Sequence, residues 1–220
     1  MAKSPAKQRG LTVQVRAVAG RSIKSREWLQ RQLNDPYVQA AQKAGWRSRA
    51  AFKLIQLDEK FHLLKPGLRV VDLGAAPGGW MQVAAAKGCR VVGLDLLEID
   101  PVPGTLILQG DFQDEAVERA VLDAMAGPAD LVLSDMAPNT TGHGPTDHLR
   151  IMGLAEIALD FAERVLEPGG AFAAKVFQGG SEAAMLVRLR ARFATVKHAK
   201  PAASRKDSSE LYVVATGFRG

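Results

Sequence analysis

Seven short apolar runs constrain this chain more than any other feature. They are Leu68–Leu73, Arg90–Leu94, Thr105–Leu108, Leu131–Ser134, Ala171–Val176, Phe193–His198 and Leu211–Thr216. Each is too short for a helix with its own buried face, and each reads as a strand covered on both sides. Helical stretches at Gly78–Lys87, Glu115–Met125, Asp147–Leu166 and Ser181–Arg192 fall among them. Short buried strands alternating with helices predict an α/β, doubly wound and mostly parallel sheet with helices on both faces. The last two runs are joined by Ala199–Ser209 with no helix between them, so one of the two is expected to run antiparallel. Ahead of the sheet, helical periodicity runs from Ser25 to about Gly45. A second helix, capped by Ser48, is expected from Arg49 to about Leu63, where Pro66-Gly67 closes it. We see no repeats, and expect a single domain over 25–220 behind a mobile arm at 1–24.

In an open sheet of this kind, ligands bind outside the carboxyl ends of the strands. Those ends are chemically unusual here. The first strand runs into Asp72-Leu73-Gly74-Ala75-Ala76-Pro77-Gly78-Gly79-Trp80, the second ends at Asp95, and the third at Gln109-Gly110-Asp111-Phe112. The fourth ends in Ser134-Asp135-Met136-Ala137-Pro138-Asn139, and the fifth carries Lys175 before Gln178-Gly179-Gly180. Small residues after the first strand permit a tight turn and close approach to a ligand. Asp95 is placed for ribose hydroxyls, and Asp111 for an adenine amino group. The loop lacks both the G-x-G-x-x-G spacing that seats a pyrophosphate and a Walker lysine, and its bulky Pro77 and Trp80 suit a ligand without phosphates. S-adenosylmethionine meets that description. The plain alternative is a glycine turn that only packs helix on strand.

Five motifs in order, Arg47–Leu54, Asp72–Trp80, Ser134–Asn139, Lys175–Gly179 and Ser209–Tyr212, resemble the FtsJ-type ribose 2′-O-methyltransferases. Within that family the chain looks most like the members acting on a uridine of 23S (large-subunit) ribosomal RNA. The resemblance covers about residues 25–218. It implies a Rossmann-like S-adenosylmethionine-dependent methyltransferase fold of seven strands, the last antiparallel and inserted between the fifth and sixth. It also implies a catalytic set of Lys53, Asp135, Lys175 and Glu210, and cofactor contacts from Gly74, Gly78, Trp80, Asp95, Asp111 and Asp135. The segment Thr140–Asp147, with Gly142, His143 and Gly144, departs from the family pattern. Independently of the family, parallel strands place Asp135 and Lys175 at one edge of the sheet. An antiparallel last strand would start there too, with Glu210 at its beginning. Lys53 must fold over that edge to join them.

A ribose hydroxyl is a poor nucleophile until its proton leaves. A neutral lysine can take the proton, and a charged one can stabilise the developing alkoxide. We expect Lys175 to be the acceptor, Lys53 the neighbouring cation, and Asp135 and Glu210 the groups that orient the pair. A lone strand lysine is commonly a snorkelling surface residue. Lys175, however, interrupts the apolar run Phe172–Phe177, where an unpartnered cation would be costly. Three other readings remain open. A base methyltransferase would carry Asn/Asp-Pro-Pro-Tyr/Phe where this chain has Ser134–Pro138. A catalytically silent RNA-binding or ribosome-assembly factor would not need the four charged residues. A nicotinamide-dependent reductase would want a different first loop and a Tyr-x-x-x-Lys pair.

The partner is read from charge. Of 29 Lys and Arg and 23 Asp and Glu, residues 1–53 hold twelve basic and two acidic, a local net charge of +10, while the remainder is net negative. A basic arm on an acidic body predicts a polyanion partner, here RNA within the large subunit or a late precursor. A second basic run spans Arg188, Arg190, Arg192, Lys197, Lys200, Arg205 and Lys206. Residues 1–26 contain no acid, so a mitochondrial presequence is the alternative to a bacterial cytoplasmic protein with a nucleic-acid arm. The single Cys89 cannot form an internal disulfide. The four histidines show no ligand spacing, and no structural metal, no membrane association and a monomer are expected.

Overall fold

A computed structural model describes residues 29–30, 32–138, 144–177, 183–205 and 208–220. The arm at 1–24, residues 140–143 of the segment 140–147 and the Gln178–Gly180 turn lie outside these residues. Thirteen elements follow in order: α1 (Pro36–Ala44), α2 (Ala51–Phe61), β1 (Arg69–Leu73), α3 (Gly79–Ala86), β2 (Arg90–Asp95), β3 (Thr105–Gln109), α4 (Glu115–Met125), β4 (Ala129–Ser134), α5 (Gly144–Val165), β5 (Leu166–Phe177), α6 (Ala183–Arg192), β6 (Phe193–Ala199) and β7 (Glu210–Phe218). The strands form one sheet in the order β3-β2-β1-β4-β5-β7-β6. β7 is antiparallel to both its neighbours and the other pairings are parallel. The expected insertion of the last strand is therefore present.

Two apolar layers sandwich the sheet, because successive side chains of a strand face opposite ways. Val71, Leu73, Val132 and Phe172 face one layer with Val121 of α4, Phe161 of α5 and Leu189 of α6. Val70, Leu131 and Leu133 face the other, with Leu54 and Leu57 of α2 and Met81 of α3. The sheet is thus clad on both faces, as the continuous apolar runs require.

Register places the site. Leu73 pairs with Leu94 and Ser134, Ser134 with Ala174, and Lys175 with Tyr212. The next residues along, Gly74, Asp95, Asp135 and Lys175, therefore share one rim. Glu210, opposite Phe177, starts the antiparallel strand beside them.

Three boundaries differ from expectation. The first helix is broken at Asp35, whose carboxylate caps α1 through the Tyr37 amide, with Pro36 in its first turn. Proline lacks an N–H and disfavours a helical residue before it, so Asn34-Asp35-Pro36 ends one helix and begins the next. Ser48 does not cap α2; Ala50 occupies that place without a side-chain bond, and the Ser48 hydroxyl is buried with no partner among the described residues. β5 starts at Leu166, not Ala171, because Leu166 already pairs with Ala129. A register shift follows between Ala129 and Leu131 of the partner strand, where Gly169 adopts φ +90°.

Candidate active site

The four charged residues expected to act together lie within one cluster. Lys175 is 7 % exposed, and its Nζ donates to the Asp135 carbonyl oxygen at 2.7 Å and to Asp135 Oδ1 at 3.1 Å. Lys53 Nζ lies 3.0 Å from each oxygen of Glu210 and 3.5 Å from Asp135 Oδ2. The cluster alternates cation and anion, Lys175–Asp135–Lys53–Glu210, which lets largely buried charges offset one another. Burial alone would raise the Asp135 carboxyl. The charges of Lys175 and Lys53, with hydrogen bonds from Tyr212 and Lys175, outweigh it and hold that carboxyl below its ordinary range.

Sequence reasoning gave no role to two further members of the cluster. Tyr212 Oη donates to Asp135 Oδ1 at 2.6 Å and stands 3.5 Å from Glu210 Oε1, while Lys53 Nζ lies 5.6 Å from the centre of its ring. Burial, then the charges of Asp135 and Glu210, push this phenol well above its usual value, so it stays a donor. Ser204 Oγ donates to Glu210 Oε1 at 2.7 Å. A tyrosine in an apolar strand reads as core; only the Lys175–Tyr212 pairing brings its hydroxyl to the cluster.

Beside the cluster, at the ends of β1 to β4, lies a cavity of about 570 Å³. Asp95, Asp111 and Asp135 line it with Gly74, and Leu97, Phe112 and Met136 give it apolar surface. Both oxygens of Asp95 accept backbone N–H bonds, Oδ2 from Ala76 and Oδ1 from Leu97, each at 2.9 Å. Each oxygen keeps a further lone pair for a hydroxyl. At Gly74, φ +72°, a Cβ would come 2.4 Å from Met136 Cγ, so only glycine fits. Three carboxylates and no Lys or Arg among the described lining residues suit a cation bearing hydroxyls and disfavour a phosphate. S-adenosylmethionine, a sulfonium with an ammonium, a ribose diol and an apolar purine, fits that wall.

Gly78 and Trp80 do not line this cavity. Trp80 is 3 % exposed, donates its indole N–H to the Ala50 carbonyl at 2.8 Å, and packs on Tyr212 with ring centres 5.8 Å apart. Its side chain braces the cluster from behind, and only its backbone, in the first turn of α3, is positioned as a helix-terminal donor. Gly78 has φ +102°, and a Cβ there would meet Val102 Cγ2 at 2.8 Å. Next to it, Arg47 donates to the carbonyls of Pro77 at 3.0 Å and Asp100 at 2.6 Å, and to that of Pro101. One guanidinium thus clasps the loop after β1 to the loop after β2.

Asp72 is a third feature without an expected role. It is 1 % exposed and its Oδ2 has no hydrogen-bond partner among the described residues. Burial, then the charges of Asp135 and Asp95, push its carboxyl well above the usual range against the lowering effect of the Met81 amide.

A mostly parallel sheet with an inserted antiparallel strand, an acid-lined cavity at its carboxyl rim and a lysine-centred charge cluster beside it define an S-adenosylmethionine-dependent methyltransferase of Rossmann-like fold. Comparison with known proteins narrows the class. The model of the FtsJ-like methyltransferase family matches residues 46–218. The chain is 63% identical over 213 residues to the ribosomal RNA large subunit methyltransferase E of Acidiphilium cryptum (strain JF-5), covering 96% of this chain and 95% of that protein. It is also 63% identical to the protein of the same name from Paramagnetospirillum magneticum (strain ATCC 700264 / AMB-1), covering 96% and 90%. Among solved structures, a Plasmodium falciparum protein whose name gives it as a ribosomal RNA methyltransferase superposes with a TM-score of 0.72 at 30% identity, over 80% of this chain and 100% of that one. The chain belongs to the FtsJ-like methyltransferase family, and S-adenosylmethionine is its methyl donor.

Proposed function

We propose that this protein methylates the ribose 2′-hydroxyl of a uridine in 23S ribosomal RNA, acting as a monomer in the bacterial cytoplasm on the large subunit or a late precursor of it. One observation carries the reading: a lysine held by two hydrogen bonds to Asp135 sits in a charge-alternating cluster beside a cavity shaped for a sulfonium ligand. The name shared by the bacterial relatives supports the choice of RNA. No bacterial relative lends weight to the presequence reading of the arm.

When bound, S-adenosylmethionine supplies an electrophilic methyl carbon. Asp95 and Asp111 would hold its hydroxyls and purine, with Gly74 giving room for close approach. Lys175 Nζ, in its neutral form, takes the proton of the 2′-hydroxyl as the ribose oxygen bonds to the methyl carbon and the carbon–sulfur bond breaks. The products are the 2′-O-methyl ribose, S-adenosylhomocysteine and a protonated Lys175. In the resting cluster Lys175 is an ammonium and the four charges cancel, so it must first give one proton to water; the cluster then carries one net negative charge from Asp135, Glu210 and Lys53, and uptake of the acceptor's proton restores neutrality. Lys53 stabilises oxyanion character on the acceptor, and Tyr212 and Ser204 fix the two carboxylates. Positioning of acceptor against donor supplies much of the acceleration, on the order of 7–11 kcal/mol for well-oriented reactants.

Labelled S-adenosylmethionine incubated with under-methylated large subunits, followed by nuclease digestion and nucleoside analysis, tests this. Label in 2′-O-methyluridine is expected; label on a base, or none, overturns the reading. Lys175→Ala should lower kcat by about 10²–10⁴ while donor affinity measured calorimetrically changes little. A variant with near-normal turnover removes Lys175 from the role.

A further inference from the structure

The catalytic cluster has a cavity on each side. Asp135 borders the acid-lined donor cavity. Lys53 and Glu210 border a second one of about 350 Å³, between α2 and the loop that joins β6 to β7. Its other polar walls are Arg49, Arg205 and Ser208, so its charge is opposite to that of the donor cavity. Among the described residues its single lining carboxylate, Glu210, is already held by Lys53 and Ser204. In-line transfer wants the acceptor oxygen opposite the sulfur across the methyl carbon, so the acceptor ribose must reach the donor cavity beside Lys175 and Asp135, and the second cavity borders the other two members of the same cluster, Lys53 and Glu210.

We infer that the second cavity seats a backbone phosphate of the RNA next to the acceptor ribose, with Arg205 as its principal contact and Arg49 as the second. The inference rests on the RNA methyltransferase reading and deepens it. Arg205 is partly buried and makes no salt bridge among the described residues. Arg49 spends Nη1 on the Asp35 carboxylate and Nη2 on the Ala203 carbonyl, and its Nε–H is buried with no acceptor among the described residues. Arg205, a guanidinium without an ion pair among the described residues in a cationic pocket, matches the geometry of a phosphate oxygen, and Arg49 adds its positive charge to the same wall. Lys53 is less suited, since Glu210 and Asp135 hold it.

The loop that presents Arg205 is pinned on both sides of its backbone. The Ala203 amide donates to Gln56 Oε1 at 2.8 Å, the Ala203 carbonyl accepts from Arg49, and Ser204 binds Glu210. Arg205 therefore follows two residues fixed to α2 and to the catalytic cluster, so a phosphate gripped there would be indexed to Lys175. Such a contact positions the strand without reading its sequence.

Arg205→Ala and Arg205→Lys, assayed on under-methylated large subunits, test the seat. Arg205→Ala should raise KM about tenfold with kcat within about twofold of wild type and unchanged donor affinity. The slope of log affinity for the subunits against log salt, read by filter binding, should fall in magnitude by about one. Arg205→Lys should recover part of the KM. An unchanged KM and slope, or a loss of kcat alone, overturns the inference, because a merely structural arginine would not move the salt slope. Filter binding needs no turnover, so the two readings fail separately. A wild type that binds with the steeper slope but transfers no methyl group sinks the function and leaves the seat standing. Normal transfer with a wild-type slope in Arg205→Ala sinks the seat alone.

Discussion

Asp72 and Asp135 show how neighbouring carboxyls in one rim take opposite states. Asp135 sits between two ammonium groups and accepts a phenol hydrogen, and its carboxyl is held down. Asp72, buried with no ion pair among the described residues, is pushed well up by burial and by the charge of Asp135 itself. The folded protein therefore keeps a proton on Asp72 that the unfolded chain releases above pH about 3.9. With this sign, the stability contributed by Asp72 is full below that pH and is lost progressively as pH rises toward the folded value. Asp72→Asn, nearly isosteric and always neutral, escapes that loss. Its melting temperature relative to wild type should rise between pH 5 and pH 8. A constant difference across that range would show that Asp72 is already ionised in the folded protein at pH 5. Neither state was legible in the sequence. Asp72 and Asp135 both close apolar strands, and what separates them is the arrival of Lys53 and Lys175 from α2 and β5. The same holds for Tyr212 and Ser204, whose hydroxyls acquire partners only through the β5–β7 register and the β6–β7 loop. Lys53, Asp135, Lys175 and Glu210 were legible because their motifs are ordered and their residue types are out of place in apolar surroundings.

At the scale of elements, the sheet was legible and its edges were not. Seven apolar runs located seven strands, since burial on both faces leaves a continuous hydrophobic signature. Helix ends were missed where local chemistry overrode periodicity, as at Asp35-Pro36, or where an expected cap went unused, as at Ser48. The extension of β5 back to Leu166 depends on Ala129 across the sheet, which no local pattern encodes. Arg47 belongs to this scale as well. It stands two residues before Arg49 in the lead-in to α2, which carries Lys53, yet its guanidinium binds three carbonyls in the loops after β1 and β2. Removing it leaves those carbonyls to water and the loops free to part. Arg47→Ala should weaken S-adenosylmethionine binding about tenfold by calorimetry, equivalent to about 1.4 kcal/mol. Arg47→Lys, a point charge unable to span three carbonyls, should recover little of it. Wild-type donor affinity in Arg47→Ala would show the clasp to be idle.

At the scale of the whole molecule, charge is divided by function. The donor cavity is lined by carboxylates, the acceptor-side cavity by guanidinium and ammonium groups, and the sequence ahead of them is strongly basic. Residues 1–24 alone hold Lys3, Lys7, Arg9, Arg16, Arg21 and Lys24 with no acid. Were these six to neutralise phosphates, each would release condensed counterions, and each contact would add about 0.7–0.9 to the magnitude of the salt slope. Deleting residues 1–24 should therefore weaken binding to large subunits most at low salt and flatten the slope by several such increments. The deletion removes neither cavity, so donor affinity should hold and the loss should fall on KM for the subunits. Binding curves with and without the arm should converge as salt rises, because screening removes the contribution the arm makes. Parallel curves would mean that the arm makes no phosphate contacts and that RNA affinity resides in the folded domain, where Arg205 and its neighbours would have to carry it.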